Sequence, residues 1–144
     1  MKLNTYLNFN GDCKAAFEFY AQLLGGKVTA MMSYADSPGC EGMSPGDKNL
    51  IMHGCVALGD DQLMGTDCTP EYPYQPIKCA YVTINVDEPA EADRVFAALA
   101  EGGNVEMPIQ ETFWAKRYGI TVDRFGVPWM VNCASESFAP PTSA

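Results

Sequence analysis

Positive charge is scarce in this chain. Nine Lys and Arg stand against eighteen Asp and Glu in 144 residues, a formal net charge of −9. Binding a nucleic-acid backbone needs clustered cations, so nucleic acid is excluded as a partner. The same sign repels an anionic membrane surface. No apolar run approaches the ~20 residues of a spanning helix, and no membrane partner is expected. Histidine is scarcer still: His53 is the only one. The six cysteines (Cys13, Cys40, Cys55, Cys68, Cys79, Cys133) contain no CxxC pair and no zinc-like spacing. They read as reduced thiols. Met1-Lys2-Leu3-Asn4 runs straight into strand-like alternation with no secretory signal, so a cytoplasmic location is expected.

What is present is a soluble composition, 47% apolar and 19% charged, of one-domain length. Residues 3–9 alternate as a strand. Asn10-Gly11-Asp12 is a turn with Asp12 as a candidate N-cap. Ala16, Phe19, Tyr20 and Leu23 form a helical stripe that ends at Gly25-Gly26. Residues 27–34 read as a strand, 35–49 as a long Gly/Pro loop, and 50–58 with 62–66 as a hairpin turning at Gly59-Asp60-Asp61. After a second loop, 67–78, the order returns: strand 80–86, a helix from Pro89 with Ala92, Val95, Phe96 and Leu99 inward, then Gly102-Gly103 and strand 104–107. Tyr72 and Tyr74 in the second loop suit a lid or a dimer surface. At an offset of 77, Leu7-Asn8-Phe9 matches Ile84-Asn85-Val86, Phe19 matches Phe96, and Gly25-Gly26-Lys27-Val28 matches Gly102-Gly103-Asn104-Val105. The expected fold is α+β, two tandem βαβββ modules (about 1–66 and 79–134) forming one curved mixed sheet around a cavity. Residues 135–144 read as a tail.

The richest segment is 110–133. It holds Trp114 and Trp129, with Phe113, Tyr118 and Phe125, and Arg117 among them. Aromatics beside a guanidinium are the ingredients of a pocket wall. Arg117 could clamp an anion, or pair with a carboxylate in an aromatic core. Phe125-Gly126-Val127-Pro128 reads as a turn that aims Trp129.

These residues carry a family resemblance. Tyr6-Leu7-Asn8-Phe9-Asn10-Gly11 with Ala16 and Phe19-Tyr20, then Gln110-Glu111-Thr112-Phe113-Trp114-Ala115, Tyr118-Gly119, Val122-Asp123 and Phe125 to Met130, resemble PhnB-like, glyoxalase-related proteins of the vicinal oxygen chelate superfamily. The resemblance spans residues 3–134. It implies a homodimer and a cavity that binds a small organic molecule. Some relatives carry a ubiquinone-pathway methyltransferase name, yet no Gly-rich loop follows a strand to hold S-adenosylmethionine. Catalytic members hold a divalent metal from the first and last strands of each module. The matching places here fall near Asn4 or Thr5, Met64, Tyr81 and Met130, none a good ligand for such an ion. No metal and no cofactor are therefore expected. The candidate catalytic residues are His53 and Glu111, as proton acceptors. The candidate ligand-binding residues are Trp114, Arg117, Tyr118, Tyr6, Met64, Tyr81 and Met130. The alternatives are a metal-dependent glyoxalase or dioxygenase-type enzyme, or a ligand-sequestering protein without catalysis.

Overall fold

The computed structural model describes residues 1–138. It divides into two compact units, Met1–Pro76 and a second that begins at Ile77. The first contains β1 (Thr5–Phe9), α1 (Cys13–Leu24), β2 (Lys27–Ser33), α2 (Pro45–Lys48), β3 (Ile51–Leu58) and β4 (Asp61–Asp67). Its four strands lie in the order β1-β4-β3-β2. β1 and β4 are parallel; β4 with β3, and β3 with β2, are antiparallel.

Helix α1 ends where Gly25 turns left-handed at φ 71 and its N–H reaches Ala21 O, the conformation glycine adopts at least cost. Its buried side is Cys13, Ala16, Phe17, Tyr20, Ala21 and Leu23. The expected stripe placed Phe19 inward; the structure buries Phe17 fully and leaves Phe19 partly exposed. The reason lies in the sheet. Gly54 and Gly65 are cross-strand partners. A Cβ on either would meet the Phe17 ring at 2.9 Å. The two glycines open a slot that Phe17 fills, and full burial of such a ring stabilises by about 1.5–3 kcal/mol. Gly54 therefore admits this ring.

The second module repeats the plan with β5 (Val82–Asn85), α3 (Pro89–Ala100), β6 (Asn104–Gln110), β7 (Ala115–Val122) and β8 (Pro128–Ala134). The order is β5-β8-β7-β6, with β5 parallel to β8. The α+β class and the two tandem βαβββ modules thus hold, but in place of the one curved sheet expected there are two four-stranded mixed sheets, one in each module, because among the described residues no strand of one module hydrogen-bonds to a strand of the other. The inward residues of α3 are Ala92, Val95, Phe96 and Leu99, as its periodicity predicts. The helices correspond at an offset of 76, one less than the strands. Tyr20, not Phe19, is the counterpart of Phe96: both are buried, between Ala16 or Ala92 and Leu23 or Leu99. Residues 135–138 are tied back to the module: Ser135 N–H donates to Trp114 O at 3.1 Å. Phe138 packs edge-on against Phe113 at 6.1 Å. The remainder of the expected tail, 139–144, lies outside the described residues.

All six cysteines are free. Among the described residues no helix is long and apolar enough to cross a membrane.

Candidate functional site

Strand alternation sorts the first sheet into two faces. Leu7, Phe9, Gly54, Val56 and Gly65 face α1 and are buried. Tyr6, Asn8, His53, Met64 and Thr66 lie on the opposite face and stay partly or fully exposed. Register brings them together: Tyr6 is opposite Met64, and Asn8 opposite Thr66. The Tyr6 hydroxyl and His53 Nδ1 are 3.3 Å apart in a hydrogen bond. Their rings stack at 5.9 Å with 29° between planes. Burial raises the Tyr6 pKa, with smaller contributions from Cys13 and Tyr34. His53 Nε2 has no hydrogen-bond partner among the described residues. The predicted Tyr6, His53 and Met64 are therefore one cluster on one face.

Two adjoining cavities open beside this face. One, about 460 Å³, is walled by Tyr34, Met43, Asp47, Met52, Glu71 and Tyr72. The other, about 590 Å³, is walled by Asn8, Tyr34, Thr66, Cys68, Glu71 and Tyr72. Both volumes fall in the usual range for small-molecule sites. Asn8 and Thr66 lie on the same sheet face as Tyr6 and Met64, but Tyr6, His53 and Met64 themselves line neither cavity. The sequence offered a signal for Asn8 and Thr66: each is two residues from a recognised site residue on its own strand. Tyr34, Met43 and Glu71 were missed because loop geometry decides their position.

Asp67 holds this region in place. It is 2% exposed. It accepts the N–H of Cys13 at 2.9 Å and of Ile51 at 2.8 Å. One carboxylate thus ties the start of α1 to the start of β3. The Cys13 thiol pays for this neighbour. Burial first, and then the charges of Asp67 and Asp12, push its pKa up to about 12. It stays protonated and is no nucleophile.

The second module gathers Trp114, Tyr118, Tyr81 and Met130. The Trp114 ring meets Tyr118 edge-on at 5.5 Å, and the Tyr118 hydroxyl donates to Met130 Sδ at 3.4 Å. Tyr81, just ahead of β5, donates its hydroxyl to Glu106 Oε2 on β6 at 3.0 Å. β5 and β6 are opposite edges of the sheet, so this bond spans it. The hydrogen bond to Glu106, and then its charge, raise the Tyr81 pKa. Glu106 is thus the polar partner of Tyr81. Glu111 is exposed in the turn between β6 and β7.

Arg117 does not join them. It is opposite Cys133, on the face that packs against α3. Its Nε lies 2.9 Å from Asp93 Oδ1, and its second guanidinium nitrogen donates to Oδ2 at 3.1 Å. Asp93 holds the helix position that Phe17 holds in α1, so an ion pair stands in one module where a buried ring stands in the other. Arg117 thus pairs with a carboxylate in place of clamping an anion. Trp129 is fully buried, and its Nε1 donates to Asp123 Oδ2 at 2.8 Å. Asp123 Oδ1 also accepts the N–H groups of Phe125 and Val127. The turn aims Trp129 into the core.

A divalent metal of the kind the fold family uses finds poor donors here. Met64 and Met130 are soft thioethers. Tyr81 would have to ionise, and its raised pKa opposes that. Among the described residues no three His, Cys, Asp or Glu side chains gather to hold an ion. The residues do not fit the group.

Paired βαβββ modules with this strand order define the vicinal oxygen chelate fold. Residues 1–132 match the family described as 3-demethylubiquinone-9 3-methyltransferase. The chain belongs to that PhnB-like family. It is 30% identical to Protein YjdN of Escherichia coli (strain K12), over 94% of this chain and 97% of that protein. It is similar to the crystal structure of protein PA1353 from Pseudomonas aeruginosa: 49% identity, TM-score 0.85, covering 93% of this chain and 98% of the other. The Bacillus cereus PhnB protein, named for the same methyltransferase, is 24% identical with TM-score 0.75, over 93% of this chain and 100% of that one.

Proposed function

We propose that this PhnB-like chain binds a small organic molecule in the first module, against the sheet face that carries Tyr6 and His53, and that this pair moves a proton on the ligand without a metal. The observation that carries the reading is the Tyr6–His53 hydrogen bond beside cavities of about 460 and 590 Å³. With Nδ1 protonated and bonded to the tyrosine oxygen, Nε2 presents a lone pair that accepts a ligand proton. With the phenol donating to Nδ1, Nε2–H donates to a ligand oxygen. The phenol keeps its proton in both forms and switches between acceptor and donor; the tautomers differ only in which ring nitrogen carries the imidazole proton, so Nε2 accepts a ligand proton in one and donates in the other. Glu111, exposed in the turn between β6 and β7, is the carboxylate candidate of the second module taken by itself. Met64 lines the face between the two strands with an adaptable thioether.

The methyltransferase name of the family finds no support in the residues. Strand β1 passes to α1 through Asn10-Gly11-Asp12, not through a Gly-rich loop. Homodimerisation is part of the proposal, supported by the exposed ring of Phe113 (82%). So is a reducing, cytoplasmic setting, supported by six unpaired thiols.

The test is a fragment screen by amide NMR on the full chain. Binding should shift Tyr6, Asn8, His53 and Thr66 together. His53→Ala should abolish any turnover of a bound ligand, and Glu111→Gln tests the second module's candidate separately. Stoichiometric Zn, Mn, Ni or Fe in untagged protein would favour the metalloenzyme alternative. A tight ligand with no turnover, indifferent to both substitutions, would favour sequestration.

A further inference from the structure

The paired cavities carry a charge signature that narrows the ligand. Across both linings the charged side chains are carboxylates: Asp47 in the first, Asp67 in the second, and Glu71 in both. No Lys, Arg or His contributes to either wall. Two of the three carboxylates are engaged. Asp67 accepts two backbone N–H groups. Asp47 accepts the Ser44 hydroxyl at 2.7 Å. Glu71 has no hydrogen bond or ion pair among the described residues, and it stands on the wall common to both spaces. Around it are two aromatic rings, Tyr34 and Tyr72, which also line both cavities, and the thioethers of Met43 and Met52.

An anion placed here would meet carboxylates and no counter-charge, in a chain of net charge −9. A bare metal ion would need three or more ligating side chains, and no such group exists among the described residues. An organic cation meets all three features at once: a free carboxylate for its charge, aromatic faces for its quadrupole attraction, and soft apolar surface for its alkyl shell. We propose that these cavities take a small organic cation, an alkylated ammonium, with Glu71 as its counter-ion and Tyr34 and Tyr72 as its aromatic walls. The inference rests on the reading of the first module as the ligand-binding half and names the ligand class for its two cavities.

The experiment is an amide NMR titration of the full chain with three probes of similar size: choline, its uncharged isostere 3,3-dimethylbutan-1-ol, and methylphosphonate. Choline should shift Tyr34, Glu71 and Tyr72 and bind about 10-fold tighter than the neutral isostere. Glu71→Gln should erase that preference while leaving the affinity for the isostere unchanged, and Tyr72→Ala should weaken both. Glu71 and Tyr72 are exposed, so both variants should fold. Equal or tighter binding of the isostere or of the phosphonate would overturn the cation assignment and leave the ligand-site reading standing. No shift at any cavity residue with all three probes would overturn both.

Discussion

Removing the Asp123 carboxylate should cost the second module much of its stability. Its two oxygens accept three hydrogen bonds: Phe125 N–H at 2.9 Å, Val127 N–H at 3.0 Å and Trp129 Nε1–H at 2.8 Å. Asp123 is 4% exposed, Val127 1% and Trp129 0%. Water cannot replace the carboxylate at the last two donors, whereas Phe125 is part-buried and retains some access. A buried donor left without an acceptor costs about 1–3 kcal/mol. Two full penalties and a discounted third put Asp123→Ala at about 3–5 kcal/mol, against a total of roughly 5–15 kcal/mol for a domain. Asp123→Asn keeps Oδ1 for the two backbone groups but turns an amide N–H₂ toward the indole N–H, so about 2–3 kcal/mol is expected. The assay is urea unfolding followed by tryptophan fluorescence. Both tryptophans, Trp114 and Trp129, lie in this module, so the signal reports it alone. Adding Trp129→Phe to the alanine variant removes one stranded donor, and the second substitution should then cost less than it does in the parent chain. A loss below about 1 kcal/mol for Asp123→Ala, with unchanged denaturant dependence, would refute the latch.

The other predictions concern packing, thiols and pH. Gly65→Ala puts a Cβ 2.7 Å from Leu7 O and 2.9 Å from the Phe17 ring, and should destabilise the first module by about 1–3 kcal/mol. Thermal melts by circular dichroism should show this, with Phe17→Leu recovering part of it. The Cys13 thiol, pushed up to about 12 and fully buried, should resist a thiol reagent at pH 8 while exposed Cys79 reacts. Labelling Cys13 at the rate of Cys79 would contradict the burial argument. Tyr81 has a raised pKa, so the Tyr81–Glu106 bond contributes below the ordinary tyrosine range and is lost as pH rises through the folded value. Glu106→Gln should move the Tyr81 ring-carbon titration back toward the ordinary value, and an unmoved curve would separate the two residues.

The fold was legible because periodicity and turn residues agreed along most of the chain. Helix α3 follows its apolar spacing residue for residue, and Gly59 turns the first hairpin at φ 62. The Phe17/Phe19 exchange was not legible, because the slot that selects Phe17 is made by two glycines on strands far away in sequence. The site was legible where it lies on strands. Tyr6, His53 and Met64 converge because alternation and register fix them. Arg117 and Tyr118 were grouped as neighbours, but adjacent strand residues point to opposite faces. Parity held the answer: Arg117 shares its side with buried Gly119 and Thr121, so it faces the helix. The parts of the cavity walls built by Tyr34, Met43 and Glu71 lay beyond reach, since those loop residues carry no periodic signal.

Where the duplication breaks is where the chemistry gathers. β2 and β6 correspond at the full offset, but β3 follows β2 after residues 34–50, while β7 follows β6 after residues 111–114 alone. Four residues suffice to connect these strands, so the longer connection is not needed to build the sheet. It adds no core either: none of residues 34–50 is buried. Ordering that many residues costs conformational entropy that their own packing does not offset. What they do supply is the wall of the first cavity, through Tyr34, Met43 and Asp47. Replacing 34–50 by the 111–114 turn should therefore leave the first sheet folded, with the circular-dichroism melt within a few degrees of the parent. Binding of any ligand whose amide shifts map to Tyr34 and Glu71 should vanish. Collapse of the module on this exchange would show that the loop serves the fold, and the division of labour between the two copies would fail.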